Sequence, residues 1–281
     1  MRSRYRKAQD GLPARVSGLW AREKLFFVER YMQIFNAGMK KKWPTRGIVD
    51  LMAGSGLCIE GDGLDAEFQG SPLLALDTDP PFTHAVFIEA DERLCDALQA
   101  RILKQTTPNP VVLQRSCNDP FVLEQIRKHI PSHALCLAFA DMLGLEVEFE
   151  TVRRLSENRK VDWLITFQVS DLTRNAREAV KDTAHGKRFD AFFGGGGWRE
   201  IVRRFDAGER GGRELADALT TFYIEQLMRI GYAHVAQLHE LMRNSKNAPL
   251  YRLILAGKHE RAADFFDKIS RINYAGARRL F

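Results

Sequence analysis

The sequence predicts an α/β fold: a mostly parallel seven-stranded sheet, flanked by helices and closed by an antiparallel hairpin. Three observations carry this. Strand-like apolar runs alternate with helix-like periodicity from residue 47 to residue 168, the pattern of parallel strands joined by crossover helices. The first of these strands runs straight into a glycine turn, in "GIVDLMAGSG" at 47–56. The last two strand-like runs, "YAHVAQLHELMRN" and "PLYRLILAGK", have only "SKNAP" clearly between them, which is too short for a crossover helix and suits a hairpin.

The elements follow in order. Residues 17–39 repeat apolar side chains at helical spacing, with Ser17 as a possible cap and Gly38 as a stop. "GIVDLM" (47–52) is the first strand. The helix that should follow the glycine turn is delayed by a polar excursion and starts at "SPLLALD" (71–77), with Ser71 as N-cap and Pro72 at the first helical position. "HAVFIEAD" (84–91), "VVLQRSC" (111–117), "ALCLAFAD" (134–141) and "VDWLITFQ" (161–168) are the next strands. Helical patterns in "ERLCDALQARILKQ", "PFVLEQIRKHI" and "EFETVRRLSENR" separate them, and a long helix over 213–231 precedes the hairpin. Residues 1–45 thus form a basic segment and helical lead-in, and residues 46–281 an α/β domain. An ordinary dinucleotide-binding sheet is parallel to its last strand. Five alternating strands closed by a hairpin instead match the Rossmann-like topology of class I S-adenosylmethionine-dependent methyltransferases.

Composition bounds the rest. With 45% hydrophobic residues over 281 positions the chain can pack a large core. No stretch reaches the ~20 uncharged apolar residues that cross a bilayer, and "MRSRYRKAQD" lacks the apolar centre of a signal peptide. The expected location is the cytoplasm, with no membrane partner. The four cysteines are widely spaced without a CxxC pair, so reduced thiols are expected and no metal site. The net charge of +6 gathers in "MRSRYRK", "KKKWPTR", "WREIVRRFDAGERGGR" and "GARRL". Such runs are solvated surface or, with Trp43 and Trp198 beside two of them, nucleic-acid contacts.

The chemistry-bearing residues fall at strand ends. Asp50, Ala53, Gly54 and Gly56 form the candidate cofactor turn, where glycine lets the backbone approach a ligand. Glu89, ending the second strand, is either a surface carboxylate or the acceptor for both ribose hydroxyls of an adenosine. Asn118 and Asp119 suit an adenine edge, and equally an Asx turn and helix cap; both roles are compatible. Asp141, in "FADMLG", and Asp171, in "FQVSDLTRN", are the candidate catalytic carboxylates, with Asp141 a substrate-side group or a loop cap. Arg174 holds an anion or pairs with Asp171, and "HGKRFDAFFGGGGWRE" is a mobile lid or a surface loop. No hydrolase triad motif or phosphate-binding P-loop is present.

The ordered set "IVDLMAGSG", "QGSPLLAL", "VFIEAD", "FADMLG", "LITFQVSDLTRN" and "PLYRLILAGKH" resembles the three-Cys-motif partner (TcmP) family over roughly residues 20–270. The resemblance implies a class I methyltransferase-like fold, a helix that starts at Gly-Ser-Pro after a loop, and association with a three-cysteine-motif protein resembling radical S-adenosylmethionine enzymes. "FADMLG" departs from the family's Asp-Pro followed by glycine, and Ser55 stands where proline is common. The expected function is an S-adenosylmethionine-binding methyltransferase acting on nucleic acid or a nucleic-acid-associated partner. The alternative is a non-catalytic module of the same fold that partners the three-Cys-motif protein.

Overall fold

The computed structural model describes residues 5–61, 65–103, 109–181, 183–207, 212–237, 242–243 and 249–271. The chain opens with an antiparallel pair, β1 (Tyr5–Lys7) and β2 (Pro13–Ser17), then enters α1 (Leu19–Met39). Ser17 ends a strand rather than capping the helix; Gly18 is the N-cap. Gly38 lies inside the helix, not past it. A Cβ there would come within 2.5 Å of the Phe265 ring, so this glycine serves close packing and not termination.

After β3 (Arg46–Asp50), the polar excursion is ordered as β4 (Leu57–Glu60) and β5 (Glu67–Gln69), and only then does α2 (Ser71–Leu76) begin. β4 pairs parallel with β2 and antiparallel with β5, completing a small sheet in the order β1-β2-β4-β5. This is why the glycine turn opens no helix: the chain is diverted into the small sheet first. The N-cap of α2 is Gly70, one residue before the expected Ser71, and Pro72 follows as the second helical residue.

The remaining elements are β6 (His84–Glu89), α3 (Glu92–Ile102), β7 (Val111–Gln114), α4 (Pro120–His129), β8 (Leu135–Ala140), α5 (Phe149–Ser156) and β9 (Lys160–Phe167). They are followed by α6 (Val169–Lys181), α7 (Thr183–Phe193), α8 (Trp198–Ala207), α9 (Gly212–Arg229), β10 (His234–Gln237), β11 (Met242–Arg243), β12 (Pro249–Gly257) and α10 (Glu260–Ser270). The main sheet runs β7-β6-β3-β8-β9-β12-β10, with β11 also pairing with β12. β12 is antiparallel to both neighbours and the strands from β7 to β9 are parallel. The expected hairpin is therefore present; of the "SKNAP" turn only Pro249, the first residue of β12, is among the described residues.

Both faces of the sheet are covered, as the unbroken burial of β3 and β8 requires. One core lies under α4 to α9, around Trp163, Trp198 and Tyr223; the other lies under α1, α2, α3 and α10, around Phe27, Tyr31 and Phe266. Burial of each such side chain stabilises the fold by about 1.5–3 kcal/mol. Residues 185–200, read from the sequence as a mobile lid or a surface loop, span most of α7 and the start of α8 instead. Phe189, Phe192, Phe193 and Trp198 are fully buried, with the Phe189 and Trp198 ring centroids 4.7 Å apart. They are core, so the segment is no lid and Trp198 offers no stacking platform to a nucleic acid. Trp43 is partly buried, with the Lys160 ammonium 4.5 Å above its ring.

Candidate functional site

The C-terminal ends of β3, β6, β8 and β9 share one edge, and the strand order reverses direction beside β3, where open α/β sheets take ligands. The turn at 50–56 is stitched to its neighbours: the Leu51 amide donates to the Phe139 carbonyl (3.0 Å) and the Ala53 amide to the Ile88 carbonyl (2.8 Å). Gly54 and Gly56 have φ of +63° and +83°, the left-handed region that L side chains avoid. The space a Cβ would take at Gly54 is clear to 4 Å, whereas at Gly56 it would touch Leu98 at 3.0 Å. Gly54 therefore faces open space and Gly56 faces the core.

Glu89 reaches across to this turn. One carboxylate oxygen accepts from the Gly54 amide at 2.9 Å and the other from the Asp91 amide at 2.8 Å. An ionised carboxylate has about four acceptor sites, so two remain for a ligand. Asp50 lies behind the turn, buried, with Oδ1 accepting from the Met52 amide at 3.1 Å and Oδ2 without a hydrogen bond. Burial pushes its carboxyl up to about 7; the Ser71 hydroxyl and the Met52 amide restrain the rise, and the charges of Asp141 and Glu89 add to it.

Asp141 is held by Lys24, whose ammonium lies 2.5 Å from both carboxylate oxygens. Burial alone would raise the Asp141 carboxyl, but Lys24 and Arg15 outweigh it and hold it below the ordinary range. It is thus a fixed anion and a weak proton acceptor. The pair borders a cavity of about 230 Å³, whose walls include Arg15, Cys58, Gln168 and Tyr251. Burial raises the Cys58 thiol, so it is no activated nucleophile.

The two carboxylates expected to be catalytic border different cavities, with Leu143 in the wall of both. Asp171, in the first turn of α6, accepts from Asn175 at 2.9 Å and borders a separate cavity of about 230 Å³ with Glu146, Asn175 and Arg188. Arg174 does not pair with it: its guanidinium donates to the Ser170 carbonyl at 3.0 Å. Asn118 brackets the loop before α5. Its amide donates to the Glu146 carbonyl at 2.7 Å, and its oxygen accepts from the Glu148 amide at 3.0 Å and the Thr151 hydroxyl at 2.9 Å. This leaves one amide hydrogen for any adenine. Asp119 caps α4, accepting from the Phe121 amide at 2.9 Å.

Sequence reasoning missed Lys24, Arg15, Cys58, Gln168 and Tyr251, which come from outside the strand-end motifs. Lys24 had a signal: it falls in the apolar stripe Ala21, Lys24, Leu25, Val28, Tyr31 and Met32 of α1, where a cation needs a buried partner. It also missed Arg101 of α3. This side chain donates to the Ser55 carbonyl at 2.5 Å and the Pro13 carbonyl at 3.0 Å and pairs with Asp10 at 2.8 Å, fastening the small sheet to the turn.

The strand order, the antiparallel β12 and the glycine turn at the reversal point fix the architecture. The fold is the class I methyltransferase fold. Among solved structures, a Legionella pneumophila protein of the DUF519 family is similar over 93% of this chain and 95% of its own, at 8% identity and a TM-score of 0.51. An O-methyltransferase from Bacillus cereus in complex with SAH aligns over 81% of this chain and 80% of its own, at 11% identity and a TM-score of 0.45. M. jannaschii TYW2 in complex with AdoMet aligns over 90% of this chain and 84% of its own, at 10% identity and a TM-score of 0.41. No family model matches the chain, TcmP included, and no curated protein matches it. Among the described residues, no helix is long and apolar enough to cross a membrane, and no group of three or more His, Cys, Asp or Glu side chains could hold a metal ion.

Proposed function

We propose that the chain is an S-adenosylmethionine-dependent methyltransferase whose cofactor lies across the ends of β3 and β6. The observation that carries this reading is the Glu89 carboxylate, fixed at the Gly54 amide with two acceptor sites to spare and clear space over the glycine. Those two sites suit the paired hydroxyls of a ribose. Asp50, Ala53 and Gly56 shape the turn, and Asp119, one of whose oxygens caps α4, would hydrogen-bond on the adenine side. The fit is incomplete at Asn118, whose side chain is committed to its own loop.

The cofactor supplies a methyl group already activated on a sulfonium, so the protein's task is placement. The Asp141–Lys24 pair orients an acceptor in its cavity through charge, and the acceptor's proton leaves to solvent, since a salt-bridged Asp141 is a poor base. Asp171 borders a neighbouring cavity and positions more distant parts of the acceptor. The acceptor is a nucleic acid or a nucleic-acid-associated partner, as the net charge of +6 favours. The test is transfer of tritiated methyl from S-adenosylmethionine into total RNA, DNA and protein fractions. Label in nucleic acid that requires Glu89 supports the reading; label in protein alone removes the nucleic-acid acceptor.

A second reading has its own observation. Lys24 spans both oxygens of Asp141, filling the place where an acceptor amine would otherwise bind. A non-catalytic module that partners a radical-enzyme-like three-Cys-motif protein would keep such a plug. It would show no transfer in the same assay even when Lys24→Met opens the site.

A further inference from the structure

A further cavity, of about 280 Å³, opens at the opposite edge of the main sheet, where β8 and β9 begin and β12 ends. β9 alone spans Lys160–Phe167, so at ~3.3 Å per residue this edge is over roughly 20 Å from the crevice. The proposed methyl transfer makes no use of it.

Its floor is apolar, built by Phe35 and Met39 of α1, Leu135 of β8 and Phe265 of α10. Its rim is cationic. Lys42, Lys160 and Arg261 line it, are exposed, and form no ion pair among the described residues. Trp43 forms a wall, with the Lys160 ammonium 4.5 Å from its ring centroid. The first turn of α10 also borders the cavity; its His259 N-cap accepts from the Arg261 amide at 3.2 Å, and an N-terminal helix end favours negative charge. Lys258 is already engaged, donating to the Ser156 and Arg159 carbonyls at 2.8 and 3.1 Å.

Asp162 is the one acid that lines this cavity. Burial pushes its carboxyl up to about 7 against the pull of Lys258, which lessens its charge near neutrality and with it the repulsion of an anion. The volume is at the lower edge of the roughly 300–1,000 Å³ of small-molecule sites. A concave apolar floor ringed by unpaired cations differs from the open basic track that a nucleic-acid backbone needs.

We propose that this cavity binds a small amphipathic anion: a single ring or short chain seated on Phe35, Met39 and Phe265, with a carboxylate or phosphate held by Lys42, Lys160 and Arg261. The inference is independent of methyl transfer. The probe is 8-anilinonaphthalene-1-sulfonate, titrated into the full-length chain and followed by its fluorescence. Saturable binding is expected, displaced by octanoate or by 1-naphthyl phosphate, and the stronger competitor identifies the head group. Lys160→Glu combined with Arg261→Glu, both on the exposed rim, should weaken it about tenfold while leaving the melting temperature unchanged. Met39→Trp, which fills the floor, should abolish it; should that variant not fold, the charge-reversed chain carries the test alone. Absence of saturable binding, affinity unaltered by charge reversal, or displacement by inorganic phosphate as effective as by octanoate would each overturn the proposal.

Discussion

The two edges of the main sheet are opposites in charge yet hold the same unusual group. At the C-terminal edge Asp50, Glu89 and Asp141 gather with one buried cation, Lys24. At the N-terminal edge Lys42, Lys160, Lys258 and Arg261 gather with one acid, Asp162. Asp50 has acidic neighbours that raise its carboxyl; Asp162 has a lysine that lowers it; both arrive at about 7. The shared cause is burial, the largest influence at both sites. Desolvation decides the protonation of these two carboxyls, and neighbouring charge only trims it.

The strongest challenge to that contrast is to remove the counter-charge from a carboxylate that burial alone would neutralise. Lys24→Met leaves Asp141 an unpaired, largely buried anion and should cost about 3–5 kcal/mol, read by urea unfolding at pH 8. Adding Asp141→Asn should recover most of the loss. A Lys24→Met chain as stable as the parent would mean that water, and not Lys24, solvates Asp141.

Next in size is the pH dependence of Asp50. Its folded-state value, about 7, lies above the ordinary 3.8, so between about pH 4 and pH 7 the folded protein binds more protons than the unfolded chain. Stability therefore falls as pH rises through that window and levels off above it, by up to about 4 kcal/mol. Asp50→Asn should remove this fall, and Asp162→Asn should remove one of the same sign. If only Asp50→Asn flattens the profile, neighbouring charge matters more than burial and the comparison fails.

The smallest effects separate the two turn glycines. Gly54→Ala meets only backbone strain, about 1 kcal/mol, because nothing lies within 4 Å. Gly56→Ala adds a contact with Leu98 at 3.0 Å and should cost about 1–3 kcal/mol more. Thermal melts of the two variants measure the difference directly.

Much of this architecture was legible in the sequence because it is written in local patterns. Short continuous apolar runs such as "ALCLAFAD", bounded by turn signals, read as strands buried on both faces, and "SPLLAL" starts its helix within one residue of expectation. The turn and Glu89 were legible for the same reason: each lies at the end of such a strand. What escaped depends on contacts distant in sequence. β2 pairs with β4 more than forty residues away (Arg15 with Cys58), and Lys24 meets Asp141 across 117 positions. Neither pairing leaves a local mark except the misplaced cation in the apolar stripe of α1. The segment 185–200 misled in the other direction. Its four consecutive glycines suggest mobility, but the flanking aromatic side chains are fully buried and anchor both helices.

The most direct test of the crevice is calorimetric titration of S-adenosylmethionine into the full-length chain and into Glu89→Ala. Saturable binding is expected, weakening about 10- to 100-fold in the variant, as when hydrogen bonds to a charged group are removed. Binding unchanged by Glu89→Ala, or no binding to the parent chain at concentrations where micromolar affinity is visible, would contradict a cofactor site at this crevice.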